Sequence, residues 1–278
     1  MTLICICKMF YFDIFSQICK YLNNKDKINL SAISSVTDRF KCKLMFSDFV
    51  LEKQIRRLPF CDNFENLYAN CTCDKIPRGV KKLEIECFGM CKEDSQMSFL
   101  GGNLTELILY QYSYKPITRE CFTYKNLRIP KSVTKLITGG RFNQSIENLI
   151  SDSVTHLALG WDFNQSIKNI IPDSVTHLSI AQYWNHTIQY CIPQSVTHLT
   201  LLYGCGSFVS PIPRSIKCLK LETIHGSVHI MLSGKDLVNL NDNMGAVLRK
   251  FVPSSINEII ICPRLFIINN KQDSKKMN

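Results

Sequence analysis

The stretch Ser153-Val154-Thr155-His156-Leu157-Ala158-Leu159 returns 21 residues later as Ser174-Val175-Thr176-His177-Leu178-Ser179-Ile180, and again as Ser195-Val196-Thr197-His198-Leu199-Thr200-Leu201. Ser132-Val133-Thr134 leads the series by the same interval. A period of about 20–50 residues marks a stacked-repeat architecture. Aligned on the apolar residue after the serine, the series extends to Val80, Leu104, Val133, Val154, Val175, Val196, Ile216, Leu237 and Ile256. The gaps are 24, 29, 21, 21, 21, 20, 21 and 19. Worn outer copies are expected, because end repeats face water on one side.

Within each copy the third residue after the anchor is leucine or isoleucine, as at Leu136, Leu157 and Leu178. The fifth is apolar at Leu109, Leu159, Ile180 and Leu201, with Thr138 and Asp242 as exceptions. This spells L-x-x-L-x-L, the strand segment of a leucine-rich repeat. Alternation sends the third and fifth side chains one way and their neighbours the other. Proline three before the anchor, at Pro77, Pro130, Pro172, Pro193, Pro213 and Pro253, marks the corner into each strand, because it fixes φ and lacks an N–H. Nine such strands at about 4.8 Å would make a sheet roughly 38 Å long. Nine residues after the anchor, three copies add Phe142-Asn143, Phe163-Asn164 and Trp184-Asn185, followed by Ile146, Ile167 and Ile188. The aromatic and isoleucine are expected to fill the convex half of the core. The stacked asparagines are expected to satisfy backbone groups where the chain leaves the strand.

The string I-P-x-S-V-T-H-L followed by F-N-x-x-I resembles the FNIP repeat, a short leucine-rich-repeat-like unit, over about 76–262. It is cleanest from 129 to 201. At Ser151 the proline is missing, and the last three copies lack the aromatic-asparagine step. The resemblance implies an interaction scaffold without enzymatic activity.

Residues 10–46 have helical spacing and no proline. Ile14, Phe15, Ile18, Tyr21 and Leu22 fall on one stripe with Asp13 as expected N-cap. Asn23-Asn24 should end that helix. Ile28, Leu30 and Ile33 then suggest a second helix, and Val36, Phe40 and Leu44 a third. The match at Asp13, Ile14, Phe15, Ile18, Tyr21, Leu22, Lys25, Asp26, Ile28, Asn29 and Leu30 resembles an F-box. Phe10-Tyr11 stand where that family opens with Leu-Pro, and Lys27 where it prefers an apolar residue. An F-box-like head before FNIP-like repeats is similar to a family of proteins from large DNA viruses of amoebae. That resemblance implies a Skp1-type linker protein as partner, met through Phe10, Phe12, Ile14, Phe15, Ile18, Leu22, Ile28 and Leu30.

The 278 residues are 45% hydrophobic with mean hydropathy near zero, a soluble globular composition. No apolar run is long enough for a membrane span, and Lys8 interrupts the first one, so an intracellular, cytoplasmic location is expected (host cytoplasm for a viral chain). The 14 cysteines are then read as reduced thiols, and Cys61, Cys71, Cys73, Cys87 and Cys91 lack paired zinc-binding spacing. The net charge of +10 is dispersed and not interleaved with aromatics, which argues against a nucleic-acid binder. His156, His177 and His198, each two after its anchor, should form a ladder on the concave face. No carboxylate or thiol repeats beside them to complete a metal site, the next slots being Lys135 and Cys218. No G-x-S-x-G, P-loop or H-E-x-x-H motif occurs.

The sequence therefore predicts an α+β protein without catalytic residues, metal or cofactors. It comprises an F-box-like helical domain over 8–57, a linker or first-coil cap over 58–75, a solenoid of about nine coils over 76–262 with a concave parallel sheet, and a polar tail over 263–278 expected to be disordered. Its expected function is that of an adaptor linking a target protein to a Skp1/cullin ubiquitin ligase. His156, Ala158, His177, Ser179, His198 and Thr200 are the candidate target contacts. The competing readings are a plain repeat scaffold capped by its helical head, and a basic nucleic-acid binder.

Overall fold

The computed structural model describes residues 2–70, 73, 75–87, 100, 103–111, 124, 127–180, 188–203, 212–223, 230–232 and 258–263. For 2–10, 87, 188–189, 202–203, 221–223, 230–232 and 258–263 the description is of backbone alone. The Trp184-Asn185 step, Cys71, Cys91, the Leu237–Asp242 part of one expected copy and the tail beyond 263 lie outside the described residues.

The chain opens with α1 (Thr2–Cys19), α2 (Asn24–Ser31), α3 (Ser35–Asp38) and a 3-10 segment (Arg39–Lys43). It then enters one sheet: β1 (Val50–Leu51), β2 (Asn66–Asn70), β3 (Lys82–Cys87), β4 (Glu106–Gln111), β5 (Lys135–Thr138), β6 (His156–Ala158), β7 (His177–Ile180), β8 (His198–Tyr203), β9 (Cys218–Thr223), β10 (Ile230–Leu232) and β11 (Glu258–Pro263). Short helices α4 (Glu52–Ile55) and α5 (Ile188–Cys191) lie between strands. The strand order is β1 through β9, then β11, then β10. All pairs are parallel except β10 with β11. The fold is a leucine-rich-repeat-like solenoid.

Register follows the sequence alignment. His156 pairs with His177, Leu157 with Leu178 and Ala158 with Ser179. One device sets this register. The carbonyl just before each strand accepts two N–H groups from the next coil: Thr134 O from Thr155 at 2.9 Å and His156 at 3.1 Å, Thr155 O from Thr176 and His177 at 3.0 and 3.1 Å, and Thr176 O from Thr197 and His198 at the same distances. Glu65, Lys81, Thr105 and Thr197 carbonyls do the same for their neighbours. Each corner is a tight turn in which the anchor N–H returns to the residue three before, as from Val175 to the Pro172 carbonyl at 3.1 Å. At Ser151 the same turn closes without proline, Val154 N–H meeting the Ser151 carbonyl at 3.0 Å.

The third and fifth positions fill the core, with Leu107, Leu109, Leu136, Leu157, Leu159, Leu178, Ile180 and Leu199 all buried. Thr138, the exception in sequence, is buried too, and its Oγ1 accepts the Gly160 N–H at 2.9 Å. Phe142 and Phe163 stack at 6.4 Å in the convex half above Ile146 and Ile167, all four fully buried. Asn143 Oδ1 accepts the Asn164 backbone N–H at 2.9 Å, which is the expected asparagine ladder. Ser153 and Ser174 hydroxyls donate to the Val133 and Val154 carbonyls, both at 2.8 Å.

Four features differ from the sequence reading. Phe64, buried, anchors a coil ahead of Val80, with Leu67 and Ala69 at its third and fifth positions, so 58–75 contains a strand of the sheet. At the other end β9, in the Ile216 copy, pairs directly with β11, in the Ile256 copy, where the sequence alignment sets the Leu237 copy between them. Asp13 is not an N-cap, because α1 already starts at Thr2. Asn23 caps α2 instead, its Oδ1 accepting the Asp26 N–H at 2.9 Å. Fourth, Asn148 and Asn169 take left-handed φ of 59° and 60°, a conformation asparagine tolerates, whereas Tyr190 at the next equivalent position lies in α5.

A Cβ on Gly160 would lie 1.9 Å from the Gly139 carbonyl oxygen, so two coils can approach here only because that side chain is missing. Gly160→Ala is therefore expected to destabilise the protein by about 1–3 kcal/mol in urea unfolding. Gly140→Ala, whose nearest neighbour would be Trp161 at 3.9 Å, should cost under about 0.5 kcal/mol.

Candidate functional site

The helical head is fixed to the first coil by polar contacts. Asn24 donates its backbone N–H to Asp48 Oδ2 at 2.6 Å and its Nδ2 to the Asp48 carbonyl at 3.2 Å, and its Oδ1 accepts the Asp48 N–H at 3.2 Å. Lys27 is buried, and its ammonium donates to the Met45 carbonyl at 2.8 Å, which accounts for a lysine where an apolar residue was expected. Phe12 and Phe15 close on Phe40 at 5.1 and 5.2 Å.

The eight head residues named from the resemblance do not form one surface. Phe15 is buried, and Phe12, Ile28 and Leu30 pack against the continuous core. Leu22 is half-buried, and the Phe10 side chain lies outside the described residues. Ile14 and Ile18 face solvent, 53% and 50% exposed. Tyr11, 58% exposed, continues the same row on α1, Tyr21, 91% exposed, follows in the turn after the helix, and Ile33 and Val36 are exposed apolar residues nearby in sequence. Reading five residues as a single stripe missed that α1 has two apolar faces.

The six outward strand positions share one groove. His156, Ala158, His177, Ser179, His198 and Thr200 all line one open groove of about 220 Å³ with Lys135 and Ile137. It forms because small Ala158, Ser179 and Thr200 run beside a row of imidazoles. The rings stack at 4.1 Å in both steps, with interplanar angles of 14° and 12°. Each Nδ1 lies 2.9 Å from the Oγ1 of the preceding threonine. Each of those hydroxyls gives its one hydrogen to the threonine carbonyl of the previous coil, at 3.2, 3.4 and 3.5 Å. Its oxygen is therefore the acceptor, Nδ1 carries the proton, and Nε2 is left with the lone pair. Burial, then the charges of His156 and His198, hold the His177 imidazole below its ordinary pKa.

Beyond the ladder the same row is charged. Lys135 and Lys82 flank Glu106, at 3.3 and 3.0 Å from its two carboxylate oxygens. Cys218 follows His198 in register on the other side. Among the described residues no group of three histidine, cysteine or acidic side chains can hold a metal ion. Cys19, Cys42, Cys61 and Cys191 are free thiols. No described helix is long and apolar enough to cross a membrane.

Residues 142–183 match the family model of the FNIP repeat. These are the residues carrying the stacked Phe142 and Phe163 and the paired Asn143 and Asn164. A solved structure described as CroV588, a novel circular LRR protein, is 26% identical, with the alignment covering 64% of this chain, 29% of that chain and a TM-score of 0.39. No curated protein sequence matches the chain.

Two measurements follow from the ladder. Above about pH 6.5 neither folded nor unfolded His177 is charged, and stability is complete. As pH falls below that value the unfolded chain takes a proton that the folded ladder disfavours, so stability drops until the lower folded pKa is passed. Urea unfolding at about pH 7.5 and about pH 5.5 is expected to show a smaller loss for His177→Gln than for the parent. Added zinc is expected to leave the melting temperature unchanged, and a rise of several degrees would mean that the ladder closes on the metal.

Proposed function

We propose that this protein is a non-enzymatic adaptor that joins two other proteins, one at its helical head and one on its concave sheet. Repeat solenoids of this type are as a rule binding scaffolds, with extended concave surfaces rather than catalytic machinery. The observation that carries the proposal is the row Tyr11, Ile14, Ile18 and Tyr21, which packing against the array leaves exposed. A head serving only as a cap would spend its apolar surface on the array, as Phe15 does, and need no second apolar face.

The F-box-like pattern of the head points to a Skp1-type linker as its partner, and through it to a cullin ubiquitin ligase. The groove beside the histidine ladder then holds the target. Catalysis in such an assembly comes from proximity, because two sites on one rigid body raise the local concentration of target near the ligase. Rigidity is supported by the Asn24–Asp48 contacts and by the core that runs without a break from Phe15 to Leu219.

Co-purification from cells containing a Skp1-type linker tests the head. Capture is expected from the parent and lost from the double variant Ile14→Asp, Ile18→Asp, with the melting temperature unchanged because both side chains are exposed. Capture that survives the double variant would contradict docking on this face.

A further inference from the structure

We propose that the groove beside the histidine ladder is a proton-coupled site for an extended peptide segment of a partner protein that carries anionic side chains, carboxylate or phosphate. This rests on the reading of the concave face as the target-binding surface. Three imidazoles stacked at 4.1 Å present three Nε2 atoms in a row, and none of them has a hydrogen-bond partner among the described residues. Burial first, and then the neighbouring rings 4.1 Å away, disfavour the protonated form of the central His177.

Among the described residues the strands around the ladder offer no unpaired carboxylate. On β5 the facing group is Lys135, itself cationic and paired with Glu106. On β4, Glu106 has one carboxylate oxygen on Lys135 and the other on Lys82. On β9 the facing groups are Cys218 and Lys220. Besides the histidines, the ladder strands line the groove with Leu157, Ala158, Leu178, Ser179 and Thr200, none of them charged. A proton taken up by the ladder is therefore not neutralised by any described carboxylate, and an anion in the groove would supply that counter-charge. Anion and proton then favour each other's binding by the same factor.

The shape favours a chain over a lone ion. The groove crosses β5 to β8 and is open along its length. At about 4.8 Å per strand this matches roughly four residues of extended backbone. The Ser179 and Thr200 hydroxyls on the floor are hydrogen-bonding groups for that backbone.

Calorimetric titration of the full chain tests the proposal with three peptides of equal length: glutamate-rich, phosphoserine-bearing, and a neutral glutamine-serine counterpart. Each is run at about pH 5.5 and about pH 7.5 in two buffers of different ionisation heat. At least one anionic peptide is expected to bind roughly tenfold or more tightly at the lower pH, with net proton uptake. Which one does so identifies the anion's source. The neutral peptide should show neither effect. Replacing all three ladder histidines by glutamine should abolish the uptake. If that variant fails to fold, His198→Gln, at an exposed position, should reduce it. No binding by either anionic peptide, binding that does not change with pH, equal binding of the neutral peptide, or uptake unchanged in the variants would each overturn the inference. A natural target that binds this face with no pH dependence would overturn it too, while leaving the target-face reading intact.

Discussion

One carbonyl oxygen per coil, that of the residue just before the strand, accepts two N–H groups from the coil that follows. Seven carbonyls do this without interruption, at Glu65, Lys81, Thr105, Thr134, Thr155, Thr176 and Thr197. A slip of one residue would leave these donors unpaired and turn every leucine of that coil toward solvent. Register is thus imposed twice, by hydrogen bonding and by burial. Once imposed, residues at the same position of successive coils must become neighbours. The leucine, phenylalanine, asparagine and serine ladders are consequences of that alignment, and so is the histidine ladder on the opposite face.

The same constraint explains what could be read from the chain in advance. Positions facing the core repeat because their neighbours are copies of themselves, so the anchors, the third and fifth residues and the aromatic step stood out. The histidine register follows from the same rule, since alternation along a strand puts the residue two after the anchor on the outer face. Phe64 escaped notice because its coil is only 16 residues ahead of Val80 and has neither the corner proline nor the serine. Tyr124 escaped because the 29-residue gap before Val133 hides its phase. It is nevertheless buried against Phe142 at 5.5 Å, and its hydroxyl donates to the Tyr110 carbonyl at 3.0 Å, continuing the aromatic stack into the irregular coil. Structure here tolerates an irregular loop length so long as the ring reaches the stack.

In the head, periodicity alone could not separate the two apolar faces of α1. Both recur at helical spacing, and only the position of Phe40 and the first coil decides which one is buried. Phe12, Phe15 and Cys19 meet those partners, whereas Ile14 and Ile18 do not. The consequence for function is a division of labour. Residues that repeat build the coil, residues of the inner helical face hold head and array together, and the surfaces left for partners are the outer row of α1 and the outward positions of the sheet. The groove arises in the coils whose outward residues alternate large and small, and the histidines occupy the large positions.

Everything claimed for the concave face depends on three histidines, each 21 residues from the next, being stacked neighbours. Nuclear Overhauser contacts between imidazole ring protons in histidine-labelled protein measure this directly. With centroids 4.1 Å apart in each step, cross-peaks are expected from His177 to both His156 and His198, and none directly between His156 and His198. Well-dispersed spectra of a folded protein with no contact from His177 to either neighbour would contradict the register, and with it the groove.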